Sequence, residues 1–319
     1  MARVIPGIHH ITAIAGDPQR NVDFYTGLLG LRLVKVTVNY DDPGTYHLYF
    51  GDETGSPGTV LTFFPWPDAP KGQKGTGQAV AISFSIPENS IEFWTNRLKA
   101  HQVPFKGPDQ RFDEKVLSFS DFDGLSLEIV SSKRGSDGRA WEKGLVPSEH
   151  AIRRFHHMTL SEQMNEKTAQ LLTKTMGFRF SGKEGNRVRF ETGSGGSGAI
   201  VDLLEQPGLP RGLISVGTVH HVAWRTPSDE DQKDWRAVLA GAGLNVTPII
   251  DRKYFHSIYY REPGGVLFEI ATEPPGFTVD QPLEELGTRL MLPPWFEPDR
   301  REIEASLSPL NLPKPVPAQ

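Results

Sequence analysis

Three histidine doublets open three strand-like runs of this 319-residue chain: Gly7-Ile-His9-His10-Ile-Thr12, Phe155-His156-His157-Met-Thr159 and Val219-His220-His221-Val-Ala223. Six of its ten histidines lie in these pairs. Neutral imidazole is the commonest nitrogen ligand for divalent cations, so doublets at repeated positions point to metal chemistry. The chain contains no cysteine, which excludes disulfides, thiolate metal sites and cysteine nucleophiles together. Any metal is therefore held by nitrogen and oxygen, and the question becomes which carboxylates complete the site.

The elements that must position these groups repeat as well. His10 and His157 are separated by 147 positions, as are Gly30 and Gly177; Arg111 and Arg252 are separated by 141, as are Glu128 and Glu269. Long-period self-similarity marks duplicated supersecondary units. Each half divides again. Residues 7–65 read as a strand, a helix over 20–29, and strands near 32–39, 46–50 and 59–64. Residues 78–131 read as a strand over 79–86, a helix over 91–101, and strands near 103–106, 115–119 and 126–130. Periodicity changes from two to 3.6 and back, with Gly, Pro and Asp at the joints. Residues 154–205 and 218–272 repeat that order. The expected fold is α+β, with four βαβββ modules in two tandem domains, 1–150 and 151–275. A Pro-rich tail over 276–319, with a helix over 298–307, is expected to cover a domain or a site mouth, or to carry a subunit contact through Pro293, Pro294 and Trp295.

Composition narrows the partners. No apolar run reaches membrane-spanning length and the N-terminus lacks a basic-then-apolar leader, so a soluble, cytoplasmic protein is expected. A formal charge of −5 gives no footprint for nucleic acid. A small-molecule enzyme that associates with copies of itself is the expectation.

Strand alternation places Ile8, His10, Thr12 and Ile14 on one face and His9 on the other. In the fourth module Val219, His221 and Ala223 share a face, and in its closing strand Leu267, Glu269 and Ala271 do. Each module then has an opening position (His10, Ala81, His157, His221) and a closing one (Thr62, Glu128, Asp202, Glu269). Two modules sharing a cupped sheet bring two of each together. Modules one and four would assemble His10, Thr62, His221 and Glu269; modules three and four would assemble His157, Asp202, His221 and Glu269. Two histidines with one carboxylate leave adjacent positions open, the arrangement of non-heme Fe(II) oxygenases. Two carboxylates suit a redox-neutral isomerase or transferase better. His221 and Glu269 belong to both sets. A lone strand histidine is ordinarily a satisfied structural residue; repeat-equivalent positions with a matching carboxylate reverse that expectation here. His47, His101, His150 and His256 follow no repeat and read as surface or packing residues, with His256, near Arg252 and Tyr259 in sequence, as the candidate exception. Trp66, Trp224, Phe255, Phe268 and Trp295 are candidates for an apolar slot.

These motifs resemble the vicinal-oxygen-chelate superfamily, whose glyoxalases, extradiol dioxygenases and fosfomycin-resistance proteins are built from paired βαβββ modules in cupped mixed sheets. More closely, the chain is similar to ring-cleaving dioxygenases of hydroquinones. The matches are Gly7-Ile-His-His-Ile-Thr12, Val219-His-His-Val222, Asp251-Arg252, Tyr259, Gly264-Gly-Val-Leu-Phe-Glu269 and Pro293-Pro-Trp295. The resemblance implies module one with module four, a metal held by His10, His221 and Glu269, and His9, Thr12, His220, Arg252 and Tyr259 around it. It implies Fe(II), with Mn(II) as the alternative ion, and insertion of O2 into a small aromatic diol next to a hydroxyl-bearing carbon.

Overall fold

The computed structural model describes residues 4–312; the outermost parts of the expected first domain and tail, residues 1–3 and 313–319, lie outside the described residues. Module one runs β1 (Ile8–Ala15), α1 (Pro18–Val22), β2 (Arg32–Asn39), β3 (Asp42–Gly51) and β4 (Val60–Pro65). Module two runs β5 (Gln78–Ile86), α2 (Ile91–Ala100), β6 (Phe105–Arg111), β7 (Glu114–Ser120) and β8 (Ser126–Ser131). Module three comprises β9 (Arg154–Glu162), α3 (Glu166–Gln170), β10 (Arg179–Glu184), β11 (Arg187–Glu191) and β12 (Ile200–Glu205). Module four comprises β13 (Thr218–Thr226), α4 (Asp229–Gly241), β14 (Ile250–Asp251), β15 (His256–Arg261) and β16 (Leu267–Thr272).

The duplication reaches into local backbone detail. Beyond α1 and α3 the chain widens by one residue per turn, so that Leu29 N bonds Phe24 O and Met176 N bonds Leu171 O at 3.2 and 3.0 Å. Gly30 and Gly177 follow with φ of +70° and +80°, the left-handed exit that a Cβ disfavours. At Gly30 a Cβ would also meet the Val146 side chain at 2.6 Å.

Two eight-stranded mixed sheets result, in the orders β14-β15-β16-β13-β1-β4-β3-β2 and β10-β11-β12-β9-β5-β8-β7-β6. The seams are antiparallel, β1 with β13 and β5 with β9. Each sheet therefore joins one module from either half of the chain: modules one and four in the first, two and three in the second. In the first sheet alternate residues turn to the core. Ile11, Ala13, Leu61, Phe63, Val222, Trp224, Phe268 and Ile270 belong to one buried cluster with Trp94 and Leu98 of α2 and Trp235 and Leu239 of α4. Full burial of a side chain such as Phe63 or Phe268 contributes about 1.5–3 kcal/mol. The residues between them, His10, Thr12, Thr62, His221 and Glu269, share the opposite face.

The chain after β16 packs on the outer edge of module one. Leu290 bridges Val36, Leu292 and Ile303 cluster with Val38, and Lys35 Nζ donates to Asp280 and Gln281 at 2.8 and 3.0 Å. Its helix, α5, spans Arg300–Ser306. No helix among the described residues is long and apolar enough to cross a bilayer.

Candidate metal centre

β1 and β13 run side by side with Thr12 opposite His221 and His10 opposite Ala223, while Ala223 is in register with Glu269 of β16. This brings His10 Nε2 and His221 Nε2 to 3.3 and 2.9 Å from Glu269 Oε2, and to 3.4 Å from each other. All three residues are buried. Donors about 2.1 Å from one cation stand about 3.0 Å apart on an octahedral face and about 3.4 Å apart on a tetrahedral edge, so the observed triangle fits a divalent ion. Glu269 Oε2 is buried and, although both imidazoles are near, has no hydrogen bond of acceptable geometry. Burial alone would raise the Glu269 carboxyl, but His10 and His221 hold it well below the usual carboxylate range. An ionised oxygen met by two imidazole nitrogens is a place where a cation can stand in for the imidazole protons.

The preceding histidine of each doublet orients the following one. His9 Nδ1 lies 2.9 Å from His10 Nδ1, and His220 Nδ1 lies 2.7 Å from His221 Nδ1. An imidazole that offers Nε2 to a metal carries its proton on Nδ1 and donates it outward. Burial, and then the neighbouring ring, push His9 and His220 down to about 3; both are thus neutral acceptors at ordinary pH. Alternation turns His9 from the face of the donors, whereas His220, skipped by a register shift between β1 and β13, lines the cavity beside them; each reaches the following ring of its doublet.

Around the triangle, Ser257 donates a very short hydrogen bond to Glu269 Oε1. Arg252 Nε donates to Tyr259 Oη at 3.2 Å and Arg252 Nη2 to Asp41 at 3.0 Å. Thr12 and Thr62 join hydroxyls at 2.8 Å. A cavity of about 300 Å³ opens over the donors, lined by His10, His221, His47, Arg252, Tyr259 and Phe255 among others.

The structure thus gathers His10, His221 and Glu269 with His9, Thr12, His220, Arg252 and Tyr259. The rival set of His157, Asp202, His221 and Glu269 is not assembled, because modules three and four lie in different sheets. Trp66 and Phe255 do line the cavity. Trp224 and Phe268 instead fill the core, with no exposure, and Trp295 meets Tyr40 edge to face at 5.6 Å. His256 pairs with Asp229 at 2.6 Å. His47 corrects the sequence reading: it is in the cavity wall, bonded to Thr62 and Tyr49. The signal for it in the chain is its position on β3, two residues before Tyr49, which is in register with closing residue Thr62.

The second sheet repeats the backbone of this site with other side chains. His157 Nε2 is 3.5 Å from Glu128 Oε2 and 3.4 Å from Asp202 Oδ2, with Ala81 in place of a second histidine. Arg111, Arg187 and Arg189 close on the two carboxylates.

The sequence model of the Glyoxalase/Bleomycin resistance protein/Dioxygenase superfamily matches residues 7–129 and 154–270. The chain is 49% identical, over 98% of its length and 99% of the relative's, to MhqO of Bacillus subtilis, which carries a provisional assignment as a ring-cleaving dioxygenase. It is 36% identical to the chlorohydroquinone/hydroquinone 1,2-dioxygenase of Sphingobium indicum, over 94% and 95% of the two chains. A crystal structure of a Bacillus subtilis protein provisionally assigned as a dioxygenase superposes with a TM-score of 0.93 at 49% identity, over 97% of this chain and 99% of that one. Glyoxalase I of Zea mays shares the fold at a TM-score of 0.63 and 13% identity, over 84% and 92%.

Proposed function

This chain belongs to the Glyoxalase/Bleomycin resistance protein/Dioxygenase superfamily, and from that membership we propose that it is a ring-cleaving dioxygenase of para-diols. The substrate is a hydroquinone or a related small aromatic diol, and O2 enters next to a hydroxyl-bearing carbon. The named activities of the Bacillus and Sphingobium relatives support this reading. One observation in the chain itself carries it. The corner of the site equivalent to Glu269 is Thr62, so the site has a single carboxylate with two histidines that line a cavity of about 300 Å³, which leaves adjacent coordination positions for substrate and O2.

His10, His221 and Glu269 would hold Fe(II), or Mn(II), for which nitrogen and oxygen donors are equally suited. When bound, such an ion supplies Lewis acidity toward a diol hydroxyl and a path for electrons from ring to O2. The remaining chemistry falls to the protein. Tyr259 keeps its proton, because burial and then Glu269 raise its phenol far above the ordinary value; it donates a hydrogen bond to a substrate oxygen. Arg252, held between Tyr259 and Asp41, offers fixed positive charge to the oxyanion that ring opening develops. Thr12 hydrogen-bonds an oxygen next to His10. His9 and His220 keep the ligating rings in one orientation. Phe255, packed against both His9 and His10 at ring separations of 5.1 and 4.9 Å, keeps water from the buried side.

We place the enzyme in the cytoplasm as an assembly of identical chains, with the half-exposed Trp295 at the contact. Oxygen uptake tests the central reading. Protein loaded anaerobically with Fe(II) or Mn(II) and offered hydroquinone, methylhydroquinone, chlorohydroquinone and catechol is expected to consume O2 with para-diols and to bleach the aromatic absorbance. Stoichiometric metal with no uptake for any diol would refute the proposal.

A further inference from the structure

Beside the three donors runs a line of hydrogen bonds across three adjacent strands. Tyr49 Oη on β3 lies 2.8 Å from His47 Nδ1, His47 Nε2 lies 2.9 Å from Thr62 Oγ1 on β4, and Thr62 Oγ1 lies 2.8 Å from Thr12 Oγ1 on β1. Tyr49 and His47 line the cavity over the site. Tyr49 is opposite Thr62 as Tyr259 is opposite Glu269, so Thr62 stands where a second carboxylate would stand if module one matched module four. A threonine hydroxyl has one hydrogen and two lone pairs. The direction in which it is bonded therefore decides what it shows to a neighbouring cation and its ligands.

That direction follows from the two ends. Burial raises the Tyr49 phenol well above its ordinary value, so it keeps its hydrogen. Among the described residues, the hydrogen-bond partner of that hydroxyl is His47. Burial likewise pushes His47 well below its ordinary value, so its ring carries a single proton. With Tyr49 donating to Nδ1, the ring proton lies on Nε2 and is donated to Thr62. Thr62 in turn gives its hydrogen to Thr12, and the Thr12 hydrogen remains free.

We propose that Tyr49 and His47 are positioning residues for ring cleavage: they commit the Thr62 hydroxyl to Thr12, keep the fourth corner from becoming a metal ligand, and leave Thr12 as a hydrogen-bond donor beside His10. The ring-cleavage part rests on the function proposed above; the direction of the chain does not. His47 does not touch the donors itself and acts through Thr62.

Two measurements test this. In metal-free protein labelled with ¹⁵N in histidine, the ring signals that vanish in His47→Gln belong to His47, and they are expected to report a proton on Nε2. Tyr49→Phe, which keeps the ring and removes the donor, is expected to shift His47 toward the form protonated on Nδ1. In Fe(II)-loaded protein, Tyr49→Phe and His47→Leu are expected to lower kcat about 10-fold or more, as loss of outer partners does. Metal content and the KM for the diol should stay within about twofold. His47→Gln, whose amide still donates to Thr62, should recover most of kcat. A wild-type His47 protonated on Nδ1, unchanged kcat in both His47→Leu and Tyr49→Phe, or equal loss in His47→Leu and His47→Gln would each overturn the proposal. Should the wild type show no diol-dependent uptake, the proposed function fails, and the tautomer still decides the direction of the chain.

Discussion

The centres of the two sheets are the same backbone used twice with opposite electrostatic outcomes. In the sheet of modules one and four, the imidazoles of His10 and His221 line a cavity and meet at the carboxylate of Glu269. In the sheet of modules two and three, Arg111 donates to both oxygens of Glu128 at 2.8 and 2.9 Å, and Arg189 donates to both oxygens of Asp202 at 2.8 and 3.0 Å and to Glu114 at 2.8 Å. Arg187 adds a bond to Asp202 at 3.0 Å. The register shows how little separates the two. Arg189 is opposite Asp202 where Tyr259 is opposite Glu269. Arg111 turns onto the closing carboxylate of its module, whereas its repeat equivalent Arg252 turns to Asp41 and Tyr259. A buried carboxylate needs a cation, and the fold can take it from a guanidinium of the same sheet or from solution.

The largest effect should come from deleting the equivalent carboxylate in each sheet. Glu269→Gln is expected to lose its metal and to lower ring-cleaving turnover by more than about 100-fold, beyond the 10–100-fold typical of outer partners. Asp202→Asn should keep wild-type metal content and kcat. The histidines should divide likewise, His10→Ala losing metal and His157→Ala retaining it. Elemental analysis beside oxygen uptake reads both pairs, and metal loss in Asp202→Asn or His157→Ala would erase the contrast between the sheets.

A milder change should convert one chemistry toward the other. Thr62→Glu puts a second carboxylate at the corner that Thr62 occupies and supplies two histidines with two carboxylates. Tighter retention of metal against a chelator is expected, together with a fall in O2 uptake of about 100-fold or less, since a protein ligand now competes for an open position. Unchanged uptake would mean that the openness of this corner is not what supports the reaction.

Much of this contrast is legible in the amino-acid sequence. The doublets, the 147-residue spacing and the four opening and closing positions lie in the chain itself, and strand alternation is enough to group His10 with Thr12 and Glu269 with Leu267. The modules are readable because sheet faces impose a period of two. What alternation does not contain is which modules share a seam: Ile11, Ala13, Met158 and Val222 are apolar enough to pack in either arrangement. Trp224 and Phe268 cannot be told from cavity residues, because an aromatic in a strand looks the same on either face. His47 escapes because its partners, Thr62 and Thr12, reach it across strand pairings that only the fold creates. The arginines that close the second centre escape for the same reason: Arg111 reaches Glu128 across β7, Arg187 and Arg189 reach Asp202 on the next strand, and Arg189 also reaches Glu114 of another module.

Breaking the internal guanidinium pairing should cost stability and leave the reaction alone. Arg111→Leu removes one partner of a mostly buried pair and strands Glu128. A loss of about 3 kcal/mol is expected, the lower end of the usual cost because Arg111 is 19% exposed. Metal content and kcat should not change. Replacing both partners, Arg111→Leu with Glu128→Leu, should restore part of the loss, as apolar substitutes for buried ion pairs often do. Urea unfolding of the three proteins gives the comparison, and a double variant no better than the single would argue that Glu128 serves other partners, His157 or Ser83.

The smallest effect is in the acid limb of stability. Burial alone would raise the carboxyls of Glu114 and Glu128. His156 and Arg189 around the first, and Arg111 and His157 around the second, instead hold both at about 2, against an ordinary 4.5. Between those pH values the unfolded chain binds protons that the folded chain does not, so the stability from these pairs is complete above about pH 4.5 and is lost as the pH falls toward 2. The buried neutral rings of His9 and His220, held at about 3, and of His47 and His157, pushed well below their ordinary value by burial, add a second loss that begins near pH 6.5 and is shared by both sheets. Urea midpoints from pH 7 to pH 2 should therefore fall in two stages in metal-free protein. The double variant at Arg111 and Glu128 keeps the stage beginning near pH 6.5 and has a shallower slope below pH 4.5, because one of the two depressed carboxyls is gone. Parallel curves for wild type and double variant below pH 4.5 would show that Glu128 is not held down in the folded chain, and the second sheet would then lack the charge balance that distinguishes it from the first.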